Sequence, residues 1–280
     1  MTHPLRPWRD TLEELGVVGL VPPPPVVPPA PEPLRAAESP AWEPPKVARP
    51  PAPPARPQPV APVPFMPPTD PVGCPSPEIV AACASLEELE ARIQGCKACP
   101  LGNHRLRFVF GEGDPKARLM FIGEGPGQEE DLKGRPFVGR AGELLDKMIA
   151  AIGLKRSQVY IANVVKCRPP DNRTPTAQEA QRCLGYLHRQ IQLVNPGAIV
   201  LLGKTPLQEL LGITTGITRI RGQWQRLGEI PVMPTFHPAY VLRQYTQEVR
   251  AAVWSDLKAA KAWLDKAEPN STLPPSTENR

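Results

Sequence analysis

The side chains best suited to chemistry in this sequence are thiols, an amide, an imidazole and a carboxylate. Cys96 and Cys99 enclose two residues, and Cys167 and Cys183 follow with 15 residues between them. Two close thiols grip one metal or one corner of a cluster, and four complete either tetrahedral zinc or a cubane iron–sulfur cluster. Spacing does not separate the two. Cys74 and Cys83 have no partner at ligand spacing and read as ordinary thiols.

Gly123-Glu124-Gly125-Pro126-Gly127 follows the short apolar run from Leu119 to Ile122. A glycine-rich loop at the carboxyl end of a buried strand is where open α/β sheets hold ligands, because the backbone there is unpaired. The same residues also suit a plain tight turn. A second run, Tyr160-Ile161-Ala162-Asn163, ends on an amide whose donor and acceptor suit the O4 and N3–H edge of uracil and misfit cytosine. Asn also caps turns. Phe236-His237-Pro238-Ala239-Tyr240-Val241-Leu242-Arg243 lies just beyond a third run, where His237 can donate to developing oxyanion charge or simply pack. Gly203-Lys204-Thr205 has the look of a Walker A loop, but the required first glycine falls at Ala198, so the phosphate cradle is absent.

The elements that must hold these positions alternate. Strands are expected at 119–122, 159–164, 198–202 and 231–235, and helices at 141–152, 176–193, 205–211 and 248–264. That order predicts an α/β fold, a three-layer α/β/α sandwich around a central, mostly parallel four-stranded sheet. The globular domain is expected over residues 85–265. Its first helix opens at Ser85, where Glu88 three residues on completes a capping box and Leu86, Leu89 and Ile93 share a face.

Composition divides the chain. Of 41 prolines, 26 lie in the first 80 residues, which cannot bury enough apolar surface to fold and read as a disordered extended tether. Within it, residues 8–20 pattern as one short amphipathic helix. Residues 266–280 are polar and expected to be disordered. A net charge of +5 permits an anionic partner. The sequence lacks a long apolar span and a signal-peptide core, so a cytoplasmic chain without membrane contact is expected, and its thiols read better as ligands than as disulfides.

In order, GEGPG, GRPFVGRAGELLD, YIANVVKCRPP and HPAYVLR, together with the four cysteines, resemble the family 4 uracil-DNA glycosylases, the iron–sulfur branch of that superfamily, over residues 85–265. The resemblance implies a base excision repair enzyme that flips uracil out of DNA and hydrolyses its glycosidic bond. It assigns one structural 4Fe-4S cluster to Cys96, Cys99, Cys167 and Cys183. Phe137 becomes the aromatic that stacks on uracil, Asn163 the base-reading amide and His237 the group at uracil O2, with Gly123, Gly125 and Gly127 shaping the pocket loop.

Family 1 enzymes carry Gly-Gln-Asp-Pro-Tyr in that loop, and aligning the prolines sets their aspartate opposite Gly125 and their tyrosine opposite Gly127. Glu124 is then the nearest carboxylate for activating water, and Glu130 the candidate wall against thymine's methyl group. Pro238 to Arg243 is expected to be a loop pushed into the minor groove, with Leu242 a wedge and Arg243 a phosphate or stacking contact. Lys133, Arg135 and Arg140 are further phosphate candidates. No lysine is placed for Schiff-base chemistry, and the basic insertion of crosslinking relatives is missing after Arg140. The expected partners are uracil-containing DNA and, through the tail, a replication or repair protein. A monomer in the prokaryotic cytosol or nucleoid is expected.

Two rival readings remain at this level. One is a nucleic-acid-binding protein that kept the fold without the catalysis. The other is a zinc-stapled hydrolase of another small substrate.

Overall fold

The computed structural model describes residues 74–266. The expected helix at 8–20, the tether up to residue 73 and residues 267–280 lie outside the described residues. Within them the strands are β1 (Glu112–Gly113), β2 (Leu119–Gly123), β3 (Tyr160–Asn163), β4 (Ala198–Leu202), β5 (Gln225–Leu227) and β6 (Ile230–Thr235). They form one sheet in the order β1-β3-β2-β4-β6-β5.

The four central strands, β3, β2, β4 and β6, are parallel, with Ile122 level with Ala162 on one side and with Leu201 on the other. Every residue of β2, β3 and β4 is buried, as continuous apolar runs covered on both faces must be. The expected parallel four-stranded centre is therefore present. The sheet itself is wider, because β1 pairs antiparallel with β3 and β5 antiparallel with β6. These edges have two and three partly exposed residues, too few for a period to register in sequence.

The helices are α1 (Pro77–Ala82), α2 (Leu86–Ile93), α3 (Leu101–His104), α4 (Gln128–Lys133), α5 (Arg140–Ala151), α6 (Ala177–Val194), α7 (Lys204–Leu211), α8 (Ile217–Ile220), α9 (Pro238–Arg243) and α10 (Gln247–Lys266). On one face of the sheet Leu89, Ile93, Leu187 and Ile191 pack with Met120 and Ile122. On the other, Leu145, Ile149 and Leu257 pack with Phe121 and Val200. Each such side chain contributes about 1.5–3 kcal/mol by leaving water. The Ser85 cap forms, Ser85 Oγ accepting from Glu88 N at 3.2 Å, but the return bond of the expected capping box is displaced by one residue, Glu88 Oε2 accepting from Ala84 N at 2.9 Å.

The start of the domain needs correction. It lies before residue 85, and the tail boundary at residue 80 cuts through α1. Val80 and Cys83 are buried in the core, and the Arg189 guanidinium donates twice to the Cys83 carbonyl, at 2.6 and 3.1 Å. Pro77 sits at the start of α1, where its missing N–H costs nothing. No helix among the described residues is long and apolar enough to cross a membrane.

The strand order creates one crevice. The chain steps from β2 to β3 on one side and then returns to place β4 on the other, so the connections leaving β2 and β4 run to opposite sides of the sheet order. Open α/β sheets bind ligands at such switch points.

Candidate active site

Four strand ends converge at the carboxyl edge of the sheet. Gly123 closes β2 and Asn163 closes β3; beyond them the two segments stay paired, with Val164 N donating to Gly123 O at 2.9 Å and Val165 N to Glu124 O at 3.1 Å. This extension fixes Glu124 against the segment that carries Asn163. Gly125 runs so close to Val165 that a methyl there would lie 2.6 Å from Val165 Cγ2.

Asn163 is 2% exposed, and its Oδ1 has no hydrogen-bond partner among the described residues. A buried acceptor left unpaired costs about 1–3 kcal/mol, a sum that a fold does not spend on packing alone. Across from it lies Phe137, 5% exposed, whose ring centroid is 5.6 Å from that of His237. Phe137 sits at φ 50, a left-handed conformation that a bulky residue seldom takes, and it is held there because Gly142 on α5 lets the backbone pass; a methyl at 142 would meet the Phe137 carbonyl oxygen at 1.9 Å. The strain aims the ring into the pocket.

His237 caps α9: its Nδ1 accepts from Ala239 N at 3.1 Å. The ring proton is therefore on Nε2, which leaves a neutral donor. Desolvation in the cleft pushes this imidazole down to about 4, the Arg243 charge adding to the effect and Glu130 opposing it. The segment that follows is not the expected loop. Pro238 to Arg243 is a helix, α9, since Pro at its first position and the helix formers behind it extend the turn that His237 caps. Leu242 is half-buried on it and Arg243 exposed.

Glu130 ties the loops together. Its Oε1 accepts from Val138 N at 2.8 Å and Gly139 N at 2.9 Å, and its Oε2 from Gly127 N at 3.1 Å. The carboxylate thus joins the glycine-rich loop to the segment that carries Phe137. Arg135 is engaged by Glu112 at 2.7 Å and Lys133 by Glu129 at 3.0 Å, whereas Arg140 is exposed.

Two residues at the site escaped sequence reading. Lys166 is fully buried beneath Asn163, donating to the Asn163 carbonyl at 2.8 Å and to Gln190 Oε1 at 2.5 Å. Thr205 Oγ1 donates to Glu124 Oε2 at 2.5 Å. A lysine inside an apolar run was the available signal for the first, and the rejected Gly203-Lys204-Thr205 segment for the second.

The four cysteines come together. Cys96, Cys99, Cys167 and Cys183 line one cavity with Phe108 and Tyr186. Among the described residues no three His, Cys, Asp or Glu side chains meet at the range of a single metal ion. Burial pushes the Cys167 thiol up to about 11 and the Cys183 thiol up to about 12, so thiolates here need positive charge beside them. Arg105 supplies one donor, bonding Cys167 Sγ at 3.0 Å while also holding the Cys96 and Gln94 carbonyls at 2.7 and 2.8 Å. A soft donor set around a cavity, with a guanidinium on one sulfur, fits a multi-iron group. Cys74, read as a thiol without a partner, lies 3.4 Å from Cys96 Sγ; 22 residues of sequence hid the approach. Cys83 is a buried thiol, 3.3 Å from the Ile79 carbonyl.

Residues 110–258 match the family model of the uracil DNA glycosylase superfamily. The chain is 48% identical to a type-4 uracil-DNA glycosylase from Thermotoga maritima over 185 residues, 65% of this chain and 95% of the relative. It is 42% identical to a type-4 uracil-DNA glycosylase from Archaeoglobus fulgidus over 193 residues, 66% of this chain and 96% of the relative. A type-5 uracil-DNA glycosylase from Pyrobaculum aerophilum is 32% identical over 145 residues, 45% of this chain and 63% of that protein.

Proposed function

The chain belongs to the uracil-DNA glycosylase superfamily, and from that membership we infer that it excises uracil from DNA, hydrolysing the N-glycosidic bond to leave an abasic site. The observation that carries the reading to particular residues is the buried, unpartnered Oδ1 of Asn163 beside the Phe137 ring.

Uracil in a duplex is stacked, so the nucleotide is first extruded at a cost of a few kcal/mol. Stacking on Phe137 recovers about 1–3 kcal/mol. Asn163 Oδ1 accepts the uracil N3–H and its amide N–H donates to O4, and cytosine fails the first contact because its N3 carries no hydrogen. The neutral His237 donates from Nε2 to O2, where negative charge grows as the glycosidic bond breaks. Glu124 orients the water that attacks C1′ of the sugar. Glu130, held by three backbone N–H groups, is proposed as the wall on the side of the 5-methyl of thymine. Leu242 and Arg243 are proposed to meet the duplex from α9.

Cys96, Cys99, Cys167 and Cys183 are proposed to hold one 4Fe-4S cluster, which would supply structural bracing between the turn after α2, the segment after Asn163 and α6. The proline-rich segment is proposed to recruit a replication or repair protein, and the chain to act as a monomer in the prokaryotic cytosol.

The test is single-turnover release of uracil from an oligonucleotide carrying one uracil, with a thymine control, on protein whose iron and visible absorbance are measured in parallel. Iron-containing protein that releases uracil and spares thymine supports the reading. DNA binding without release would turn it toward a non-catalytic binding protein, and equimolar zinc would reject the cluster.

A further inference from the structure

The Gly203-Lys204-Thr205 turn is too short for a phosphate loop, yet it stands at the switch point of the sheet. Reading Glu124 as the carboxylate that orients the attacking water, we infer that Thr205 is its positioning residue. The pairing of β2 with β4 sets Ile122 level with Leu201, so the segment leaving β2 and the first turn of α7 face one another across the crevice. There the Thr205 hydroxyl donates to Glu124 Oε2 at 2.5 Å, and among the described residues none donates to Glu124 Oε1. One oxygen is anchored and the other is left for water.

A glutamate on a glycine-rich loop has three rotatable side-chain bonds, and fixing them before the reaction removes an entropic cost from the chemical step. Thr205 is equipped to do this. It is 9% exposed, so solvent competes little for its hydroxyl. Its β-branched side chain is stiff. A threonine in a helix commonly bonds its own backbone, but this one bonds across the crevice. The same turn reaches the other catalytic group. Gly203 lies at φ 95, its N–H donates to Thr235 O at 2.9 Å, and a methyl there would stand 3.1 Å from His237 Cβ. Glu124 and His237 therefore rest against one rigid turn.

The experiment is a double-mutant cycle on the full chain with Thr205→Val, Thr205→Ser, Glu124→Gln and Glu124→Gln/Thr205→Val. Single-turnover excision rate, DNA affinity and thermal melting are measured for each. Thr205→Val is expected to slow excision about 10- to 100-fold, the range of one hydrogen bond to a charged group. Affinity should be unchanged and melting lowered by no more than several degrees, Thr205→Ser should restore the rate, and the double variant should be no slower than Glu124→Gln alone. Loss of rate in Glu124→Gln with none in Thr205→Val overturns the role of Thr205 while leaving Glu124 in place. A fully active Glu124→Gln overturns the reading of Glu124 itself. An additive double variant, or a rate that Ser fails to restore, shows that the hydroxyl acts elsewhere or only supports the fold.

Discussion

Replacing Gly123 by alanine puts one methyl group into the space where the Asn163 amide, the proposed reader of the base, and the Phe137 ring meet. That methyl would lie 2.5 Å from Asn163 Oδ1, 2.5 Å from Phe137 Cζ and 2.8 Å from Phe137 Cε2. Carbon keeps about 3.3 Å from oxygen and about 3.5 Å from carbon at contact, so the amide must give way by about 0.8 Å and the ring by about 1 Å. Neither has slack. Asn163 and Phe137 are 2% and 5% exposed, and the Phe137 backbone is confined by Gly142. Gly123 does not use a positive φ, so alanine suits the strand, and the penalty falls on the site and on local packing. Overpacking costs about 1–3 kcal/mol, or a melting decrease of several degrees. Misplacing a positioning group by about 1 Å costs about 100-fold in rate. Gly123→Ala is therefore expected to fold and to excise uracil about 100-fold more slowly in single turnover. Gly185→Ala, where a methyl meets nothing within 4 Å, is the control. A folded Gly123→Ala protein within about threefold of the parent rate would refute this pocket, since that clash costs about 100-fold if the uracil lies there.

Other expectations follow from the same geometry. Asn163→Asp should abolish uracil excision or move recognition toward cytosine, and unchanged uracil preference would remove Asn163 as the reader. Desolvation pushes the His237 imidazole down to about 4 from its ordinary 6.5, so the excision profile should be flat from pH 8 to about 6 and fall below about 5; a limb centred near 6.5 would contradict the half-buried neutral donor. The same shift means that its share of stability is present above 6.5 and is lost as pH falls toward about 4, because the unfolded chain takes up the proton first. Cys183→Ser should lose iron and visible absorbance and lower the melting temperature, and retention of full iron would exclude Cys183 as a ligand. Deleting residues 1–73 should leave excision on oligonucleotides intact, whereas a cut at residue 84 removes buried Val80 and Cys83 and should lower the melting temperature by several degrees.

The strands that build the pocket were legible because each is an apolar run long enough to be covered on both faces, and the first capped helix because Ser85 is followed three residues later by Glu88. The cysteines, Asn163 and His237 were legible as candidates, since thiols at close spacing, an amide closing one strand and an imidazole just beyond another stand out by side-chain type. α9 was missed because a proline ahead of a short run reads equally as a loop. The edge strands were missed because two or three half-exposed residues carry no period.

What the sequence determined by itself is the order of strands and helices, the identity of the reactive groups and their resemblance to a family, since these depend on local spacing and side-chain type. What only the tertiary structure decided is which groups meet. Thr205 reaches Glu124 across 81 residues because β4 lies beside β2. Asn163 keeps an unpaired acceptor because Gly123 and Phe137 enclose it. Glu130 is committed to three backbone N–H groups because two loops fold onto it. Such meetings follow from sheet order and burial, and no local pattern of residues records them.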